Sequence, residues 1–493
     1  MDLKMQKEPS ITEGTKKKDS AITSFWKGFI SSIKKLWQLP ETKIILILIL
    51  TRIVFILWTH WGMDFDYYLE IAQRSLNGEY LYRDIESNHM PLVDMLYIVM
   101  YAICPWKSNI IAVRFFMKLP YLLADIGIAL GVMKIIEHAH NKKKENNFLE
   151  EEKTSLEKQK FIAGLLVAIS LPLILQTGGG RYDSLMIFCF TMIIYCLQIN
   201  QWFGVAFFAA LGSAAKYIGI IFLPFVVFWM KKEDIFPFCA GLLLGLIPIY
   251  PYLITQPMDF IGIFYLRGSH IAYGFSLWHA IFIIWNGFQM KHIDGIEATY
   301  ESEGEPWFVK SLYLPFFVIV YCVIFVLYIY RNWQKIRTQS ITDQSLNHLI
   351  NIVFIPIFIF ALSFKAINIQ VLAWFTPYIA LKNKKELLIE YSVLTLVNGF
   401  ALIFFESFTN DIFLEMAEQA AGEGTMFYYI LIKPALWING HTTETVWVAI
   451  IFVTIWWYLI RTTIEFVFCV KEILNIPKIE NISETKNSVK QIE

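Results

Sequence analysis

The segment Asp64-Phe65-Asp66-Tyr67-Tyr68 sets two carboxylates two residues apart directly after a long apolar run. Such a pair suits two chemical tasks: taking a proton from a nucleophile, with one carboxylate as base and the other as partner, or gripping a divalent cation. A plainer role also fits, because Asp64 or Asp66 would cap a helix over 67–76. Downstream come Gly78-Glu79-Tyr80-Leu81-Tyr82-Arg83-Asp84 and Asn88-His89-Met90-Pro91-Leu92. Gly78 suits a helix end and Pro91 a helix start. Arg83 and His89 stand as substrate-binding candidates, although an interfacial Arg is often merely solvated.

Three further clusters carry polar groups inside apolar surroundings. Gly178-Gly179-Gly180-Arg181-Tyr182-Asp183 offers a backbone that a ligand can approach closely, or equally a tight loop between two helices. Lys216 sits among apolar residues, where an ammonium is costly and usually functional. It either snorkels outward or meets a phosphate, and the phosphate is the reading adopted. Lys365-Ala-Ile-Asn-Ile-Gln370, with Trp374 and Pro377, forms the third cluster. Arg114, Lys118 and Asp125 share one apolar stretch, in which Asp125 suits a structural pairing with another helix.

These residues must be carried by membrane helices. The chain has 493 residues, is 56% hydrophobic and only 17% charged, and has a mean hydropathy of +0.50. Apolar blocks near the roughly 20 residues that cross a bilayer core recur from Ile44 to Ile464. The formal net charge is +0, so no basic footprint points to nucleic acid. The six cysteines show neither CxxC nor metal-like spacing and read as small buried hydrophobes.

Lysine and arginine asymmetry orients the chain. Residues 1–43 form a basic cytoplasmic leader, partly disordered, without a cleavable signal sequence; the first span acts as an uncleaved anchor. Spans are expected over 44–61, 110–136, 161–177, 184–199, 202–216, 218–230, 235–254, 308–330, 349–364, 368–381, 388–405 and 444–460. The stretch Pro91–Trp106 is read as a helix lying at the outer surface, because a full crossing would put the lysine-rich loop 137–160 outside. Loops 62–109, 255–307 and 406–443 are external, the latter two with apolar pieces at 273–288 and 426–438 lying at the surface or re-entering. Loop 137–160 and the tail 465–493 are cytoplasmic. The expectation is an all-α polytopic bundle of about twelve spans, with juxtamembrane helices in the first external loop.

In this order the motifs resemble the GT-C glycosyltransferases, and within them the GPI mannosyltransferase I group and its prokaryotic relatives. DFDYYLEIAQRSLNGEYLYRDIESNHMPL resembles that group's first external loop. KLPYLLADIGIAL, GGGRYDSL, GSAAKYIGIIFLP and INIQVLAWFTPYIAL resemble the segments that follow. The likeness covers 45–235 and 350–382. Met90 stands where many members have a second Pro, and Val371 where many have Tyr, which leaves the branch and the sugar open.

The resemblance implies transfer of a hexose, such as mannose, from a polyprenyl-phosphate (dolichyl-phosphate) sugar to a hydroxyl of a glycan, lipid or protein acceptor. The reaction would invert the anomeric centre on the extracytoplasmic face, in a cell membrane or the endoplasmic reticulum. Asp64 is the first choice for the base and Asp66 the second; such a base contributes about 10²–10⁴-fold. Lys216, Arg181 and Arg83 are candidates for the donor phosphate. His89, Asp183, Lys365, Gln370 and Trp374 complete the expected binding set. No metal site is assigned, and a divalent cation on the Asp pair stays open. A ligase would carry an Arg-rich outer loop, whereas the larger outer loops here are acidic. A transporter or flippase of lipid-linked sugars would show midplane charges, broken helices and often inverted repeats, and no such repeat is visible.

Overall fold

The computed structural model describes residues 39–58, 62–87, 89–143, 150–262, 272–285, 306–367, 370–409 and 444–474. In lipid, backbone groups must be satisfied within the protein, and a helix does so within one segment. The described residues are mostly helical: α1 (Pro40–Trp58), α2 (Gly62–Leu76), α3 (Pro91–Ile103), α4 (Ile110–Lys143), α5 (Glu150–Ala168), α6 (Leu171–Gly178), α7 (Asp183–Gln198), α8 (Trp202–Ala215), α9 (Leu223–Val227), α10 (Ile235–Gly245), α11 (Tyr250–Thr255), α12 (Leu277–Trp285), α13 (Trp307–Thr338), α14 (Leu346–Ser363), α15 (Val371–Trp374), α16 (Thr376–Leu381), α17 (Lys385–Thr409) and α18 (Glu444–Ile473). Extended backbone enters as a two-residue parallel pair, β1 (Tyr273–Gly274) with β2 (Ala366–Ile367).

Among the described residues, four helices are long and apolar enough to cross a membrane: Ile110–Lys142, Trp307–Thr338, Leu346–Ser363 and Ala449–Ile473. The α13 helix leaves Leu314, Ile319, Val323 and Val326 exposed along its length, a continuous apolar face that water does not tolerate and lipid does. The chain therefore reads as a membrane protein. α3 has 13 residues. Its rise of about 20 Å falls short of a bilayer core of about 30 Å, in keeping with its reading as a non-crossing helix.

Several stretches expected as continuous spans are broken. Thr154–Ala168 and Leu171–Gly178 meet at a 49° bend. Pro172 explains it, since it has no N–H for the carbonyl of Ala168 and its ring crowds that carbonyl. The 235–254 stretch divides into α10 and α11 ahead of Pro251, and 368–381 divides into α15 and α16 ahead of Pro377. After α8 the backbone of Lys216 is extended, with φ −154° and ψ 125°, before a 3₁₀ turn over Tyr217–Ile220. Gly219 makes that turn possible, because a Cβ there would strike the backbone of Gly212 and Ser213.

Two other expectations need correction. The helix after α1 begins at Gly62, not at 67, so Asp64 and Asp66 lie inside its first turns and neither caps a helix over 67–76. Cys104, Cys189, Cys196 and Cys469 are buried, but Cys239 and Cys322 are exposed; both sit on apolar helices. The apolar piece at 273–288 supplies β1 and α12, with Trp278, His279 and Phe282 buried. The leader up to residue 38, the acidic stretches 286–305 and 410–443 (with the piece at 426–438) and the tail from 475 lie outside the described residues.

A large apolar core joins α1, α4–α8 and α14–α18. A smaller one, built from Phe65, Tyr68, Val93, Tyr97, Val113, Met117, Tyr121, Tyr182 and Ala215, fastens α2 and α3 to the ends of α4, α7 and α8. This second core brings the first-loop residues to the Gly178–Asp183 turn.

Candidate functional site

Asp183 opens α7 and is fully buried. Its Oδ1 accepts a hydrogen bond from Lys216 Nζ at 2.7 Å and another from Trp374 Nε1 at 2.6 Å. With its amide oxygen turned toward the guanidinium, Gln370 donates to Asp183 Oδ2 at 2.9 Å and accepts from Arg181. Lys216 Nζ also lies 4.7 Å from the ring centroid of Trp374 and 5.4 Å from that of Tyr182. Four of the expected residues, Arg181, Lys216, Gln370 and Trp374, therefore gather about a fifth, Asp183. They come from three segments far apart in sequence.

Local structure explains the convergence. Gly180 has φ +73°, a conformation in which a side chain is strained. That turn ends α6 and lets the Arg181 N–H bond back to Gln176 O at 2.8 Å. Lys118 Nζ, buried on α4, donates to Gly178 O at 2.5 Å, and the Tyr97 hydroxyl donates to Gly180 O. The extended backbone at Lys216 stops α8 and turns the lysine toward Asp183. The break ahead of Pro377 leaves Gln370 and Trp374 on a short helix directed at the same carboxylate.

His89 adjoins this cluster through Tyr182, with ring centroids 5.3 Å apart. Its Nε2 is 3.2 Å from the Tyr68 hydroxyl, and its Nδ1 is 3.8 Å from Asp94 Oδ1. Asp94 is fully buried and accepts from Ser87 Oγ at 2.7 Å. Tyr68 stacks on Tyr97 with centroids 4.1 Å apart. Tyr82 holds φ +69°, uncommon for a bulky residue, and donates to His89 O at 2.9 Å. Burial, with the nearby Asp94 charge adding to it, pushes the Tyr82 phenol well above its ordinary pKa, so it stays a donor.

Other expected residues lie elsewhere. Arg83 is exposed, forks onto Asp84 at 2.8–2.9 Å and lies 4.1 Å from the Tyr80 ring. Those hydrogen bonds hold the Asp84 carboxyl down at about 2. Lys365 is buried 4.9 Å from the Tyr313 ring, beside β2, in a separate aromatic cluster. Asp66 is exposed on α2, close enough to Arg114 for their charges to interact. Asp64 has a helical backbone in the same helix, and its side chain lies outside the described residues. Among the described residues no three His, Cys, Asp or Glu side chains gather as a metal would require.

Sequence reasoning passed over Asp94, Ser87, Tyr68 and Tyr97, whose roles depend on contacts across the first loop. It also passed over Arg52, a charge inside the first apolar run and therefore a recognisable signal. No family model matches the chain, and no curated protein matches it.

Proposed function

We propose that this chain is a membrane glycosyltransferase of the GT-C type. It moves a hexose from a polyprenyl-phosphate donor to an acceptor hydroxyl on the extracytoplasmic side, with inversion. The observation that carries the reading is the meeting of Arg181, Asp183, Lys216, Gln370 and Trp374. Three of the motifs behind the family resemblance supply these residues, and nothing in their sequence spacing obliges them to meet. In this reading the chain crosses the bilayer about twelve times with both termini inside, as the lysine asymmetry requires.

An acceptor hydroxyl is a poor nucleophile near neutral pH. A carboxylate, Asp64 first and Asp66 second, takes its proton as the oxygen attacks the anomeric carbon. The bond to the phosphate oxygen breaks on the opposite face, and the lipid phosphate leaves with the electron pair. Arg181 and Lys216 stabilise the charge that develops there. Asp183 orients Lys216, and Trp374 and Gln370 orient Asp183. Arg83 and Lys365, which stand apart from this cluster, are assigned no step.

A second reading, a transporter of lipid-linked sugars, draws on the broken helices and on a buried Arg52–Asp125 pair. Mass spectrometry of glycans and glycolipids from a deletion strain separates the two. A transferase predicts an acceptor that lacks one hexose. A transporter predicts intact products in smaller amount, or donor lipid accumulating on one leaflet.

A further inference from the structure

The first span carries an arginine that the proposed chemistry does not use. Arg52 Nε lies 2.5 Å from Asp125 Oδ2, and both side chains are fully buried. A buried ion pair is weak evidence of stabilisation by itself, because desolvation offsets its attraction. The rest of the guanidinium has a specific task. Nη1 donates to Ala168 O at 2.8 Å and Nη2 donates to Val167 O at 3.2 Å. Thr51 Oγ1, on the same helix, donates to Ala168 O at 3.2 Å. Ala168 O is the carbonyl that Pro172, four residues on, has no N–H to serve. Ala168 is fully buried, so no solvent stands in for the missing donor.

Asp125 reaches to the other side of the break. Its Oδ2 accepts from Thr177 Oγ1 at 2.6 Å, and Thr177 Oγ1 is 3.2 Å from Ser184 Oγ. Thr177 stands next to Gly178, and Ser184 next to Asp183.

We infer that Arg52 and Asp125 form a positioning clamp. Arg52 caps the broken end of α5, Asp125 fixes the far end of α6, and together they hold the 49° bend that delivers the Gly178–Asp183 turn to Lys216 and Trp374. The eight residues of α6 rise about 12 Å, so straightening a bend of this size swings their far end by about 10 Å. Hydrogen bonds to Asp183 would not survive such a shift. The link to turnover rests on the proposed function; the geometry of the clamp does not.

The bend can be read without turnover. Ser170 Oγ, in the break itself, lies 2.9 Å from Thr376 Oγ1 at the start of α16. In the full chain in membranes, with the six native cysteines replaced, Ser170→Cys with Thr376→Cys forms a disulfide on mild oxidation. Adding Arg52→Met with Asp125→Asn removes both charges together and so keeps the protein folded. It also removes the guanidinium's donors to Ala168 and Val167 while Thr51 keeps its own, and cross-linking slows by about tenfold or more, equivalent to about 1.4 kcal/mol. The exchange Arg52→Asp with Asp125→Arg keeps the buried charges balanced but puts no donor at position 52, and it cross-links as slowly. An unchanged rate in the Met/Asn variant overturns the clamp, as does full recovery in the exchange variant. If glycosyl transfer is absent while these rates behave as expected, the functional reading falls and the clamp stands.

Discussion

Lys216→Met tests the charge balance of the site. Lys216 Nζ lies 2.7 Å from a carboxylate whose side chain has 0% exposure, while the lysine itself has 14%. At an effective dielectric of about 20, the direct attraction is about 6 kcal/mol. Most of that is cancelled by desolvation when the pair forms, so the pair adds little net stability. Removing one member is different, because it strands the other; breaking a buried pair costs about 3–5 kcal/mol. Trp374 and Gln370 still donate to Asp183 in the variant, which puts the expected loss at the lower end, about 3 kcal/mol. Lys216→Met with Asp183→Asn removes both charges, keeps an acceptor for Trp374, and loses only charge-assisted hydrogen bonds, about 1–2 kcal/mol. The double variant is therefore more stable than Lys216→Met alone by at least about 1 kcal/mol. Unfolding of the purified protein in mixed micelles, followed by a detergent titration, measures the native chain, Lys216→Met, Asp183→Asn and the double variant. Equal stability of Lys216→Met and the native chain, or costs that simply add, would refute the pairing. Both variants lose donor use under the proposed function, so stability and turnover are read separately.

Two further predictions concern backbone and orientation. Gly180→Ala places a Cβ at φ +73° and 3.3 Å from Lys118 Cγ, and it destabilises the chain by about 1–2 kcal/mol; a variant as stable as the native chain contradicts the left-handed turn. Lys158→Cys, in a cysteine-free background, resists an impermeant thiol reagent in intact cells and reacts once they are permeabilised; ready labelling from outside moves the Asp183 cluster to the other side of the membrane.

Much of the candidate site was legible because polar residues in apolar surroundings must have partners. That rule singled out Lys216, while Asp183, Gln370 and Trp374 drew notice as members of two polar clusters, and the structure joins them. For Lys216 the sequence favours a phosphate partner, and the structure pairs it with the Asp183 carboxylate, since either neutralises an ammonium. Arg83 drew notice for its charge, but its neighbour Asp84 already satisfies it at the surface. The breaks were harder to read. Pro172, Pro251 and Pro377 lie inside runs that are apolar throughout, and apolarity is the same on both sides of a kink. Arg52 went unremarked because one charge among many apolar residues barely alters a window average. Its partners at Asp125, Val167 and Ala168 are separated from it by 73 residues or more. The shortness of α3, by contrast, was plain from the brevity of its apolar stretch.

Sugar transfer itself is the central claim, and one reconstitution tests it most directly. The purified chain goes into liposomes with a polyprenyl-phosphate hexose carrying radiolabelled sugar, together with a membrane-lipid acceptor extract. The native chain moves label into acceptor, with the anomeric configuration inverted. Asp64→Asn or Asp66→Asn, whichever removes the base, lowers the rate by about 10²-fold or more while donor binding is retained. Label that crosses the bilayer still attached to its lipid, with none in acceptor, would contradict the account and favour a transporter; transfer that survives both Asn variants within a few-fold would remove the base from this loop.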